Sequence, residues 1–139
     1  MRTCAVIVLL ALNGASMAQT DLVVEVTTKR YAEGGILRLV LCPDVASFGA
    51  EVGCTLLAAD VTGATIRVTF PSVSKGTYAI KVFHDVNADG RMDTNFFGIP
   101  KEPYGFSNDA MGLFGPPSFE QAAFTVGGRS SERQTIRLR

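Results

Sequence analysis

Short runs of alternating apolar and polar residues, separated by turn residues, are the feature that most constrains the fold of this chain. About seven such runs occur in the 139 residues, and no segment of ten residues follows a helical period. Each run predicts a strand with one buried face, because successive side chains of a strand point to opposite sides. The predicted strands are Asp21–Thr28, Ile36–Cys42, Cys54–Asp60, Ala64–Phe70, Thr77–His84, Gln121–Val126 and Gln134–Leu138. We therefore expect one all-β domain, a sandwich or barrel, in which the last two strands form a hairpin around Gly127–Arg129.

The first 18 residues have the pattern of a secretory signal peptide. Arg2 precedes an unbroken apolar run, Ala5–Leu12, and small residues follow as far as Ala18. The pattern predicts cleavage between Ala18 and Gln19, which leaves a periplasmic or secreted domain of residues 19–139 with no membrane span. The alternative is a short N-terminal anchor, although a bilayer-spanning helix needs about 20 apolar residues.

The cysteines suggest the same compartment. Cys4 would leave with the signal peptide, so that Cys42 and Cys54 remain. An even number of cysteines in an exported domain predicts one disulfide bond. The alternative is a pair of buried free thiols.

The charge balance excludes some classes of partner. The chain has 13 basic and 13 acidic residues, so it has no net field to attract nucleic acid or an acidic membrane surface. Its one histidine argues against a zinc centre. We therefore expect no nucleic acid as a partner; the expected partner, a protein or a glycan, would contact the aromatic residues of the long segment described next.

One long segment, Asp85–Glu120, interrupts the alternation. It contains four of the six prolines and six of the twelve aromatic residues. A long segment so rich in aromatic residues predicts an ordered excursion rather than a flexible linker. Its expected contact surface consists of Phe97, Tyr104, Phe106 and Asn108, whereas burial of these rings would make the segment a structural cap.

The start of this segment reads D-x-N-x-D-G-x-x-D. Oxygen atoms at alternate positions, with a glycine at the sixth, can wrap around calcium. The predicted ligands are the side chains of Asp85, Asn87, Asp89 and Asp93 and the carbonyl of Arg91. Phe96 stands where an EF-hand has a bidentate glutamate, so a further carboxylate such as Glu102, Asp109 or Glu120 would be needed. The alternative is a metal-free turn, because Asn and Asp side chains bond readily to their own backbone.

Two residues are candidates for catalysis. His84 precedes the calcium-like motif, and Ser107 lies downstream. A Ser107–His84–Asp85 triad is poorly arranged, because adjacent strand residues point to opposite faces. The chain also has no G-x-S-x-G motif.

The segment from Gly76 to Phe124 resembles the bacterial family called domain of unknown function 2141. The similarity rests on FHDVNADGRMDTN at Phe83–Asn95, GIPKEPYGFSN at Gly98–Asn108 and FGPPSF at Phe114–Phe119. The stretch Gly76–Val82 is also similar to transthyretin-like sandwiches, which implies an Ig-like or prealbumin-like β-sandwich. The family resemblance implies export and no established activity.

Three functions are compatible with these observations. The first is a non-enzymatic binding module, in which the long segment contacts a partner. The second is a hydrolase-like enzyme that uses His84 with Ser107 or a carboxylate. The third is a structural envelope protein without a small ligand. We expect the first.

Overall fold

The computed structural model describes residues 14, 18–129 and 131–139. Most of the predicted signal peptide, including Cys4, lies outside the described residues, so the signal peptide stays a prediction. No helix within the described residues is long and apolar enough to cross a membrane.

The described chain forms eight strands and a few short helices. The strands are Gln19–Thr27 (β1), Ile36–Cys42 (β2), Thr55–Asp60 (β3), Thr65–Ser74 (β4), Gly76–Asp85 (β5), Tyr104–Phe106 (β6), Phe124–Val126 (β7) and Ser131–Arg137 (β8). The helices are Val45–Ala50 (α1) and Phe119–Ala122 (α2), with 3-10 turns at Tyr31–Glu33 and Ser107–Asp109. The all-β prediction is confirmed, and β6 is a strand that the alternation did not predict.

The strands form two sheets. In the first sheet, β1 lies between β4, to which it is antiparallel, and β8, to which it is parallel. In the second sheet the order is β3-β2-β5-β6, and β7 pairs with the beginning of β5. The sheets pack face to face because alternate residues of the long strands β1, β2 and β4 are buried and mostly apolar. The fully buried core side chains include Leu22, Val24, Val26, Leu37, Phe70, Ile80, Val126 and Ile136.

The predicted hairpin between the last two strands is wrong. β7 pairs with β5 in the second sheet, whereas β8 crosses to the first sheet and pairs with β1 over seven residues. A local hairpin would leave that edge of β1 without hydrogen bonds, and the crossing satisfies it. The predicted strand Gln121–Val126 is shortened to β7, since Ser118 caps α2 in a capping box with Gln121.

A second, smaller apolar cluster contains the disulfide and α1. The predicted bond between Cys42 and Cys54 is present and closes a loop with a sequence separation of 12. Asp44 caps α1 by accepting the N–H of Ser47. Phe48 of α1 is buried with Cys42, Ala79, Phe106 and Ala122.

Candidate functional site

The long segment leaves the second sheet at the end of β5, where the chain is tightly packed against a turn. A side chain at Gly35 would place its Cβ 2.5 Å from the carbonyl oxygen of Asp85 and 2.8 Å from the Cα of Val86. Gly35 also has a φ of +86°, which favours glycine. This close approach fixes the position at which the segment begins.

Asp85 is fully buried at this point and bonds with both carboxylate oxygens. Its Oδ1 accepts the N–H of Asp89 at 3.1 Å, and its Oδ2 accepts the N–H of Gly90 at 2.8 Å. The Nε–H of Arg38, on β2, also donates to Oδ2 at 2.6 Å. Burial by itself raises the pKa of Asp85, but the Arg38 guanidinium and the two N–H groups outweigh it, so the pKa lies below its ordinary value. Asp85 is therefore held as a carboxylate.

The rest of the Asp85–Asp93 loop is closed by local hydrogen bonds. Asn87 Oδ1 accepts the N–H of Asp89, and Asp89 Oδ1 accepts the N–H of Arg91 at 2.8 Å. Asn87 Nδ2 donates to Asp93 Oδ2 at 2.7 Å. The first two bonds are Asx turns, which Asn and Asp side chains form without a metal. Within residues 14, 18–129 and 131–139, no three His, Cys, Asp or Glu side chains are grouped so as to hold a metal ion. Calcium binding stays a prediction.

Glu102 links the two ends of the Asp85–Asp93 loop, a structural role that was not predicted from the sequence. It is 5% exposed; Oε1 accepts the N–H of Val86 at 2.9 Å and Oε2 that of Asp93 at 3.0 Å. The N–H of Lys101 donates to the carbonyl of Asp93 at 2.8 Å. Glu102 was expected only as one of three spare metal ligands. No local pattern marks its role, because the groups that it binds lie 9 and 16 residues earlier.

Between Asp93 and Lys101 the chain forms a small hairpin that we call the apolar tip, residues 94–100. Thr94 and Pro100 form an isolated β-bridge. Asn95 Oδ1 accepts the N–H groups of Phe97 at 2.9 Å and Ile99 at 3.0 Å. The tip is therefore ordered by its own hydrogen bonds and anchored below by Glu102.

The apolar side chains of the tip face solvent. Phe96 is 97% exposed, Phe97 82% and Ile99 58%. The rings of Phe96 and Phe97 are 5.6 Å apart at their centroids and nearly perpendicular. Farther along the same segment, Leu113 and Phe114 are also almost fully exposed.

The four residues of the predicted contact surface have different environments. Phe97 is exposed in the apolar tip, as expected for a contact residue. Tyr104 is half-buried in β6, and Asn108 is exposed, with its Nδ2 donating to the carbonyl of Ala123 at 2.8 Å. Phe106 is buried against Phe48, so its prediction as a surface residue is wrong. The reason is that β6 pairs with β5, which places Phe106 in the second apolar cluster, beneath α1.

His84 and Ser107, the candidate catalytic residues, are both fully buried and bond to different partners. The ring nitrogens of His84 bond to Thr28 Oγ1 at 3.0 Å and to the carbonyl of Gly34. Because a carbonyl only accepts, Nε2 carries a proton. Ser107 Oγ accepts the N–H of Ile80 at 2.9 Å and donates to the carbonyl of Ala122. The structure therefore does not pair His84 with Ser107.

The comparisons with known proteins give one match. A family model described as an uncharacterized protein conserved in bacteria (DUF2141) matches residues 24–134. The chain belongs to this family. The DUF2141 match runs from β1 to β8, and so includes both sheets and the whole long segment. No curated protein and no solved structure matches the chain. The similarity to transthyretin-like sandwiches stays a prediction.

Proposed function

We propose that this DUF2141 protein is an exported, non-enzymatic interaction module that binds a partner protein through the apolar tip. The observation that carries the proposal is an ordered hairpin with Phe96, Phe97 and Ile99 exposed. Apolar area in contact with water costs roughly 25 cal/mol per Å², and burying it in a complex recovers that free energy. The disulfide supports export, since disulfides persist in oxidising compartments.

The construction of the tip favours binding. The hydrogen bonds of Asn95 and the two contacts of Glu102 fix the backbone before any partner arrives. Preorganisation lowers the entropy that association costs. A pocket beside the loop, lined in part by Arg30, Lys101 and Glu102, has a volume of about 200 Å³. Small-molecule sites usually measure roughly 300–1,000 Å³, so a convex contact with a macromolecule is the better match.

The chemistry of the tip favours a protein over a glycan. Sugar recognition combines a flat aromatic face with nearby hydrogen-bond donors and acceptors. The perpendicular rings of Phe96 and Phe97 do not form a common flat platform, and the Asn95 Oδ1 is occupied by backbone N–H groups. Two perpendicular rings and a branched aliphatic side chain instead suit an apolar pocket on a protein.

Site-specific photocrosslinking in the producing bacterium tests this proposal. With benzoylphenylalanine in place of Phe97, we expect one discrete protein adduct. The adduct should disappear when Phe96→Ser and Ile99→Ser are added, because the apolar contact is then lost. These substitutions should leave the unfolding midpoint of the purified protein almost unchanged, since both side chains are exposed.

The matched control places the same photoreactive residue at Tyr31, which is 47% exposed and lies outside the long segment. A protein adduct of equal yield from Tyr31 would contradict a specific role of the tip. An adduct with lipid alone would overturn the protein partner. If the tip variants cross-link as well as the parent protein, the apolar side chains of the tip do not make the contact. The structural envelope alternative would then be favoured.

The calcium prediction has a separate test. The Arg38 guanidinium already neutralises Asp85, whose oxygens also accept two N–H groups, and this arrangement supports the Asx-turn alternative. We therefore expect the thermal midpoint to be the same in EDTA and in millimolar calcium. A ligand that binds only the folded state would raise the midpoint, because it adds about 2.7 kcal/mol to the free energy of unfolding at a hundredfold excess over Kd. A rise that is absent in Asp89→Ala would establish the calcium site.

A further inference from the structure

The strand β3 forms an open edge of the second sheet. It pairs with β2 on one side, and its other side has no backbone hydrogen-bond partner in the part of the chain that the structure describes. Its sequence, TLLAAD, carries a charge only at its last residue, Asp60. Unpaired N–H and C=O groups along a neutral strand are a template for adding a further strand.

The other sheet edges have features that disfavour strand addition. β4 contains Pro71, a positive φ at Ser72, and Arg67 in an ion pair with Glu25. β8 carries the charges of Glu132, Arg133 and Arg137. The backbone of Tyr104 in β6 exchanges two hydrogen bonds with Arg139. β7 is neutral but only three residues long, so among the longer edges β3 alone has neither internal charge, proline nor cover.

Exposed apolar side chains accompany this edge. Leu56, on the outer face of β3, is 71% exposed. Val52, four residues earlier, is 72% exposed, and Val45 in α1 is 57% exposed. Both valines lie within three residues of the Cys42–Cys54 bond. The open backbone edge of β3 therefore carries an exposed apolar side chain of its own, Leu56, as in an interface between subunits.

We infer that β3 pairs with β3 of a second copy of this chain, antiparallel and across a two-fold axis at Leu57. This register places Leu56 opposite Ala58 of the copy, and Thr55 opposite Ala59. Every pair is neutral, so the strand meets no like charge in its own copy, and Asp60 lies beyond the paired residues. In a two-fold interface the same surface of each subunit must complement itself. An uncharged strand edge meets this requirement when it pairs antiparallel with its own copy. The result is one continuous sheet through both subunits.

Paired charge variants test this register. We would measure the mass of the purified protein by light scattering after size exclusion, together with Leu56→Lys/Ala58→Lys and Leu56→Glu/Ala58→Glu. The parent protein should have twice the chain mass. Each variant alone should be a monomer, because like charges face each other directly across the axis. An equimolar mixture of the two variants should restore the dimer, since the introduced lysines then face the introduced glutamates.

The control is Thr65→Lys/Thr69→Lys on β4, where both side chains are exposed, and it should remain a dimer. Unfolding midpoints of all variants establish that each is folded. A parent protein that is monomeric up to roughly 100 μM would overturn the inference. So would variants that stay dimeric alone, or a mixture that stays monomeric. None of these results bears on the apolar tip, which consists of other residues.

Discussion

Asp85→Asn is expected to lower the free energy of unfolding by about 3 kcal/mol and the thermal midpoint by about 10 °C. The substitution keeps the volume of the side chain but removes the charge that Arg38 and two backbone N–H groups contact. When one partner of a buried ion pair is removed, the charge of the other partner is left uncompensated. Arg38 is 30% exposed, and partial hydration keeps the loss moderate. Thermal unfolding followed by circular dichroism measures both quantities.

The same variant has a defined pH dependence. The folded-state pKa of Asp85 lies below 3.8, the ordinary value for aspartic acid. The stability that ionised Asp85 contributes is therefore fully present above that value and is lost as the pH falls through the folded-state pKa. We expect the difference between the parent protein and Asp85→Asn to be constant between about pH 5 and 7, and to shrink in stronger acid.

Asp89→Asn is the matched control in the same loop. Asp89 is exposed and its carboxylate accepts one backbone N–H, from Arg91, so the loss should stay below about 1 kcal/mol. Equal losses in the two variants would contradict the role assigned to Asp85. A difference between the parent protein and Asp85→Asn that persists unchanged below the ordinary pKa would contradict the ion pair with Arg38.

The strands were predictable because each has one buried face. Alternation located β2 at its observed ends and β1 to within two residues at its start. It could not locate β6, because three residues are too few to establish a period. The pairing of β8 with β1 was also beyond the pattern. A turn with two glycines between two strands favours a local hairpin. β8 instead pairs with the open edge of β1, more than a hundred residues earlier, and local sequence cannot reveal that edge.

The site was predictable only where its contacts are local. The Asx turns follow from the spacing of Asn87 and Asp89, since each side chain bonds two residues ahead. The ion pair of Asp85 could not be predicted from local spacing, because its partner Arg38 lies 47 residues earlier. Arg38 also stands in a strand whose alternate residues suggest a solvent-facing side. The exposure of Phe96 and the burial of Phe106 also depend on tertiary packing, as both are phenylalanines in one aromatic segment.

Removal of the disulfide should produce the second large effect. Cys42→Ala/Cys54→Ala is expected to lose about 3 kcal/mol of stability, because the bond closes a loop of sequence separation 12 and restricts the unfolded chain. In urea this loss corresponds to a midpoint lower by about 2 M. The measurement is made in a Cys4→Ser background, so that the chain contains no cysteine besides this pair.

A reducing agent provides the matched control. It should lower the urea midpoint of the Cys4→Ser protein to that of the double alanine variant, and it should not change the double alanine variant itself. Equal midpoints of the oxidised protein and the variant would contradict a stabilising bond. Because the bond restricts the unfolded chain, the loss applies to the whole domain, including the second apolar cluster, where Cys42 packs with Phe48 and Phe106. Because Phe106 belongs to β6, just after the apolar tip, the bond stabilises the framework from which the tip projects.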